Sequence, residues 1–144
     1  MDQPFVTNEI IVSKHIGEVE AFLRAIDSLC LWNSEVIMKK SNGRSFTITR
    51  SKKAANDKEE VIIESVKNRI IYHFVGEKLS YDVHFILNEQ EENTHIIENM
   101  VIVNKDNFFL PVQLFRSIVK TALAEKLTNL AQILNQWEGE VLVK

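Results

Sequence analysis

The stretch FFLPVQLFRSIVKTALAEKLTNLAQIL, Phe108 to Leu134, decides the fold. Wound at about 100° per residue from Val112, it places Val112, Phe115, Val119, Leu123, Leu127, Leu130 and Leu134 in one stripe, widened by Ile118, Ala122 and Ile133. Pro111 falls close to the first helical turn, where its missing N–H is tolerated. A helix is therefore predicted over about 109–136. An apolar stripe of this length must lie against an apolar surface. Two basic residues disturb it, Arg116 at the edge and Lys126 within the arc. Long basic side chains often snorkel to water from such positions. The alternative is that one of them pairs with Glu98 or with an anionic ligand head group.

The surface for that helix must come from the preceding chain. Phe5–Val12 (FVTNEIIV) has strand composition. Gly17–Ile26 changes to helical spacing, with Val19, Phe22, Leu23 and Ile26 on one side and Glu18 and Glu20 in the first turn, where the helix dipole favours anions. Then come Ser34–Lys40 and Arg44–Arg50 around a Ser41-Asn42-Gly43 turn, followed by Val61–Val66, Arg69–Val75, Leu79–Leu87 and His95–Val103. Ser51–Glu60 reads as a solvated connection and Asn88–Asn93 (NEQEEN) as an exposed hairpin loop. Strands joined by turns this short cannot be parallel, because a parallel crossover needs a dozen or more residues. The class is α+β: one antiparallel sheet of about six to seven strands, a short helix after the first strand, and a long C-terminal helix.

One hairpin can be phased. Gly76 in Val75-Gly76-Glu77-Lys78 suits the first central position of a type II′ turn, which pairs Phe74 with Leu79 and Tyr72 with Tyr81. One face then carries Ile70, Tyr72, Phe74, Leu79, Tyr81, Val83, Phe85 and Leu87; the other carries His73, Lys78, Ser80, Asp82 and His84. Such clean segregation names the inner face. In the last strand Ile96, Glu98, Met100 and Ile102 alternate with Ile97, Asn99, Val101 and Val103, and the phase stays open. Either choice turns a polar residue, Glu98 or Asn99, inward. A buried carboxylate there is costly unless paired or protonated.

The chain's 144 residues suit one domain, 1–144. A formal charge of −3, with the basic residues dispersed, makes no basic footprint, so nucleic acid is not an expected partner. The single cysteine, Cys30, excludes an internal disulfide and reads as a small buried hydrophobe. MDQPFVTNEI lacks the pattern of a signal peptide, and no apolar run approaches the roughly 20 residues that span a bilayer. A cytoplasmic domain without stable membrane insertion is expected, with its oligomeric state left open.

Catalytic patterns are missing. His15, His73, His84 and His95 form no HxH or HExxH spacing, so no metal is expected. No G-x-S-x-G elbow and no glycine-rich phosphate cradle occurs, and no cofactor is expected. The aromatic residues Tyr72, Phe74, Tyr81, Phe85 and Phe115 converge on the space under the helix, either as plain core or as the lining of a pocket. A buried tyrosine hydroxyl needs a partner, which a ligand oxygen could supply. Trp32 either borders that space or anchors packing.

Several features resemble the SRPBCC superfamily, the helix-grip fold of START domains, polyketide cyclases and the major birch pollen allergen. Ser13-Lys14-His15-Ile16 leading into Gly17-Glu18-Val19 resembles the entry to that family's first helix. Trp32 in LCLWNSEV, Arg69-Ile70-Ile71-Tyr72, Asn93-Thr94-His95-Ile96, Leu110-Pro111 and Leu127-Thr128-Asn129-Leu130 follow in the family's order, although Asn93 stands where a glycine is usual. The resemblance implies a cavity between a curved sheet and the long helix, used for lipids, isoprenoids or polyketides. On that reading the chain binds a small, largely apolar ligand without defined catalysis. Trp32, Tyr72, Phe74, Tyr81, Val83 and Phe85 would line the site from one side, with Glu98 or Asn99, Met100, Phe115, Arg116 and Val119 around them. The alternatives are a cyclase or aromatase using Tyr81, Glu98 or Asn99, and an interaction protein (a chaperone cofactor or toxin type) with a filled core.

Overall fold

The computed structural model describes residues 3–33, 35–42, 45–50, 56, 58–105 and 111–136. Seven strands form one antiparallel sheet: β1 (Val6–Val12), β2 (Val36–Asn42), β3 (Ser45–Arg50), β4 (Lys58–Val66), β5 (Arg69–Gly76), β6 (Leu79–Gln90) and β7 (Asn93–Lys105). Their spatial order is β1-β7-β6-β5-β4-β3-β2. From β2 to β7 each strand pairs with its neighbour in sequence. The one long-range pairing sets β1 beside β7, from Val6 opposite Met100 to Val12 opposite Thr94. Two helices, α1 (Ile16–Arg24) and α2 (Leu29–Trp32), carry the chain from β1 to β2, and α3 (Val112–Gln136) follows the sheet. The sheet is curled, and the expected α+β helix-grip architecture is present. The first two residues of the helix predicted from 109, the Gly43 end of the β2–β3 turn and most of the Ser51–Glu60 connection lie outside the described residues.

The short helices show how local chemistry shapes the chain. Glu18 Oε1 accepts from the His15 backbone N–H at 3.3 Å, which caps the start of α1. Val19, Phe22 and Leu23 are fully buried beneath it. Ala25 is extended and stops α1. The Ser28 hydroxyl sits within 2.8 Å of both the Phe22 and the Ala25 carbonyl oxygens, so it satisfies groups that the stopped helix leaves open. The chain then winds again into α2, which buries Leu29 and Trp32 and leaves Cys30 exposed. Cys30 is thus not the buried hydrophobe expected from composition.

The expected faces of β5 and β6 are correct but their register is not. Phe74 stands opposite Tyr81, and Tyr72 opposite Val83, two residues beyond the predicted pairing. A shift of two preserves the faces, because side chains alternate with period two. The cause is Asn56. Its Oδ1 accepts from the backbone N–H groups of Lys78 (2.9 Å) and Leu79 (3.1 Å), and its Nδ2 donates to the Leu79 carbonyl (2.8 Å) and to Glu59 Oε2 (2.6 Å). A Cβ at Gly76 would overlap this carboxamide. Gly76 is therefore there for close approach, and its φ lies outside the left-handed region that a type II′ turn requires. Asn56 and Glu59 are buried, so Ser51–Glu60 is not simply a solvated connection, and β4 already starts at Lys58. NEQEEN contracts as well: β6 and β7 pair out to Gln90 and Asn93, and Glu91 takes the positive φ of 59° that the tight turn needs. Asn56→Ala is expected to lower stability by about 2–4 kcal/mol, because it leaves the Lys78 and Leu79 backbone donors without their acceptor and removes one hydrogen bond from the buried Glu59. Urea denaturation measures the loss, and a change below about 0.5 kcal/mol contradicts this role.

Candidate functional site

The two halves of α3 behave differently. Leu127, Leu130, Ala131 and Leu134 are buried, so the C-terminal half packs tightly. In the N-terminal half Val112 and Ile118 are about half exposed, and Val119 and Leu123 are only partly buried. The backbone of α3 comes closest to β1 and α2, at one side of the sheet. A cavity of about 350 Å³ remains between the N-terminal half and the strands. Phe74, Leu79, Tyr81, Val83, Phe85 and Met100 form its sheet side, and Phe115, Ile118, Val119, Ala122 and Leu123 its helix side. Trp32 and Asn33 at the end of α2 complete the wall with five charged residues: Glu35, Arg50, Glu59, Glu98 and Lys126.

Four of the charged residues form one network. The buried Arg50 guanidinium donates from Nε to Glu59 Oε1 (2.7 Å), from Nη1 to Glu35 Oε1 (3.2 Å) and from Nη2 to the Tyr81 hydroxyl (2.9 Å). It also lies over the Phe74 ring at 5.3 Å, and Phe74 stacks on Tyr81 at 4.8 Å. Lys126 Nζ donates to Glu35 Oε2 at 2.7 Å, not to the expected Glu98, and this ties α3 to the network. Two cations thus meet two carboxylates. Burial alone would push the Glu35 carboxyl up, but Lys126 and Arg50 outweigh it and hold it below the usual range. Packing around Tyr81 pushes its phenol well above the usual range despite the neighbouring Arg50. Breaking any one partner leaves an uncompensated buried charge, which is strongly destabilising.

Glu98 stands apart. The phase left open by the sequence resolves in its favour: Ile96, Glu98 and Met100 are at most 2% exposed. Glu98 lies opposite Phe85 on β6 and Asn8 on β1. Its hydrogen bond comes from Asn8 Nδ2 at 3.4 Å, a long one. Burial pushes its carboxyl up to about 8, with Asn8 and Lys126 opposing only part of the rise.

Nine of the expected residues border the cavity: Trp32, Phe74, Tyr81, Val83, Phe85, Glu98, Met100, Phe115 and Val119. Three do not. The Tyr72 hydroxyl donates to the Leu23 carbonyl, so this residue locks α1 to the sheet within solid core. Asn99 points to the other face, where its Oδ1 accepts from the Thr7 hydroxyl at 2.8 Å. Arg116 covers the Phe5 ring at 4.6 Å and donates to the Phe5 carbonyl, fastening α3 to the start of β1. Sequence reasoning missed Arg50, Glu59 and Glu35. The polar ends of strands and loops carry no periodic signal, and only the curl of the sheet brings these together. The histidines stay outside the cavity. His73 sits between Asp82 (2.7 Å) and Glu64 (2.9 Å), and these carboxylates raise its pKa against a lowering by burial. Among the described residues no group of three His, Cys, Asp or Glu is placed to hold a metal ion.

No protein-family model matches the chain, and no curated relative matches it in sequence. Solved structures do match over nearly the whole chain. A START superfamily protein from Mycobacterium smegmatis superimposes with a TM-score of 0.68 at 14% identity, covering 91% of this chain and 94% of that one. The fold is START-like. A conserved protein from Geobacillus kaustophilus aligns to this START-like chain with a TM-score of 0.73 at 10% identity, covering 90% of it and 94% of the other. The solution structure of the Aha1 dimer from Colwellia psychrerythraea aligns at 0.64 and 15% identity, covering 93% and 98%. The START-like architecture is thus shared at low sequence identity.

Glu98 makes stability depend on pH. Its folded pKa lies above the ordinary carboxylate value, so the native state holds the proton more tightly than the unfolded chain. Its contribution is full below about pH 4.5 and declines until pH passes about 8, by about 1.4 kcal/mol per pH unit at most. Glu98→Gln removes this slope. Urea denaturation between acid and mildly alkaline pH should show the variant gaining on the parent as pH rises. Parallel pH profiles for the two proteins contradict a protonated, buried Glu98.

Proposed function

We propose that this START-like domain binds a small, largely apolar molecule in the cavity between the sheet and the N-terminal half of α3. The supporting observation is the cavity itself: space of about 350 Å³ falls within the range of small-molecule sites and is walled mainly by aromatic and aliphatic side chains. Each buried ligand methylene would contribute about 0.8 kcal/mol. The exposed Val112 and Ile118 lie on the segment of α3 that covers this space, so entry would go past that segment.

Glu98 supports a second reading, an enzyme of the cyclase or aromatase type. A carboxyl pushed up to about 8 and bordering an apolar pocket is poised to exchange a proton near neutral pH. Tyr81 and Asn99, the other expected proton carriers, fit less well. The Tyr81 hydroxyl is engaged by Arg50 and Glu59, and Asn99 faces away. The interaction-protein reading predicted a filled core, and the cavity argues against it.

Filling the cavity tests the binding reading. Ala122 borders it from α3, and Ala122→Phe should reduce binding of a neutral apolar dye such as Nile red by at least about tenfold while cooperative unfolding persists. Native mass spectrometry of gently purified protein should show an apolar adduct on the parent that is lost in the variant. Absence of both adduct and dye binding in the parent overturns the proposal.

A further inference from the structure

Glu98 is 1% exposed and borders the cavity from β7. Its two oxygens differ. Oε1 accepts the long bond from Asn8, whose Nδ2 also donates to the Lys120 carbonyl at 3.4 Å. Oε2 has no hydrogen-bond partner among the described residues. Yet it is not sealed within the protein, since Trp32 Nε1 is the one sealed side-chain polar atom among the described residues that lacks a partner. Oε2 therefore opens on the space that Glu98 borders.

The charges around that space are out of balance. Glu35, Glu59 and Glu98 stand against Arg50 and Lys126. Arg50 is bonded to Glu59 and Glu35, and Lys126 to Glu35. Glu98 is left without an ion-pair partner among the described residues. Asn8 stands opposite it on β1 and Phe85 on β6, and Lys126 on α3 acts on it without bonding it.

An anionic head group entering here would find both cations engaged and a further carboxyl beside it. A neutral oxygen would gain an ordinary hydrogen bond. An ammonium would gain a charge-assisted one, roughly twice as strong, and would bring the lining to neutrality. Its lost hydration opposes binding, and the paired carboxylate offsets that cost. The aromatic wall, with Phe74, Tyr81, Phe85 and Phe115, offers ring faces that attract a cation. Glu98 keeps its proton to about pH 8, so ionising it weakens such binding about tenfold at neutral pH and not at all well above that value.

We propose that the cavity takes an apolar molecule bearing one basic nitrogen, and that this nitrogen binds Glu98 Oε2 as an ammonium. This rests on the ligand-binding reading above and adds the ligand's chemical class.

Three probes of equal chain length separate the possibilities: decylamine, 1-decanol and decanoate, titrated calorimetrically into the full chain between about pH 6 and about pH 9. Decylamine, charged throughout this range, should gain about tenfold in affinity per pH unit below about pH 8. At the alkaline end it should bind at least about tenfold more tightly than 1-decanol, with decanoate weakest. Near neutral pH its binding should release about one proton, read from the dependence of the heat on the buffer's ionisation enthalpy. Glu98→Gln should weaken decylamine at least about tenfold at the alkaline end and abolish its pH dependence, with 1-decanol changed by less than about threefold. A decylamine affinity that stays flat with pH overturns the proposal, even if Glu98→Gln fails to fold. Decylamine binding unchanged in Glu98→Gln overturns it too. If 1-decanol or decanoate binds as tightly as decylamine at the alkaline end, only the ligand class is wrong. If none of the three enters, the binding reading falls and this inference with it.

Discussion

The buried Arg50 guanidinium is the constraint around which the rest of this molecule is arranged. Its three bonded partners, Glu59, Glu35 and Tyr81, come from β4, the residue just before β2, and β6. Glu35 then reaches across to Lys126 on α3. Desolvating this much charge is expensive, and only the mutual pairing offsets it. Through the Lys126–Glu35 bond the network joins α3 to the strands beneath it. Asn56 extends it into the β5–β6 hairpin by bonding Glu59 on one side and the turn backbone on the other.

Holding α3 from its middle explains why its two halves differ. Beyond Lys126 the helix settles onto apolar neighbours, and Leu130 and Leu134 are fully buried. Before Lys126 it rests mainly on its attachments to β1. Arg116 bonds the Phe5 carbonyl, and Lys120 Nζ bonds the Thr7 carbonyl at 2.6 Å. Pinned at that edge, the helix cannot sink toward β5 and β6. Phe115, Val119 and Leu123 border a space instead of filling one. An apolar void lacks partner atoms for its lining and costs stability. Its presence supports the ligand-binding proposal.

Much of the architecture was legible in the sequence because it rests on periodicity. The period of α3, the alternation in β5 and β6 and the short polar breaks sufficed for an antiparallel α+β domain. The hairpin register failed because Gly76 was read as a turn residue, whereas the structure has it making room for Asn56. Nothing about Asn56 in a polar run announces a buried carboxamide. The site divided along the same line. Residues on regular apolar faces, such as Phe74, Val83, Met100 and Phe115, were legible. Arg50, Glu59 and Glu35 looked like solvated ends, since partners that lie far apart in sequence leave no local pattern. Tyr72 was misplaced because the alternation assigns a face but not a depth along the strand, and α1 covers that part of the sheet.

The ligand-binding and proton-transfer readings both require that the space beneath α3 exists and admits an apolar guest. Crystals pressurised with xenon address this without knowledge of any natural ligand, since xenon enters dry apolar cavities. Xenon density beside Val83, Met100 and Val119 is the expected result, with the Arg50–Glu59 and Lys126–Glu35 pairs intact. A structure in which Phe115 and Leu123 have closed onto β6, leaving no site for xenon, would contradict it.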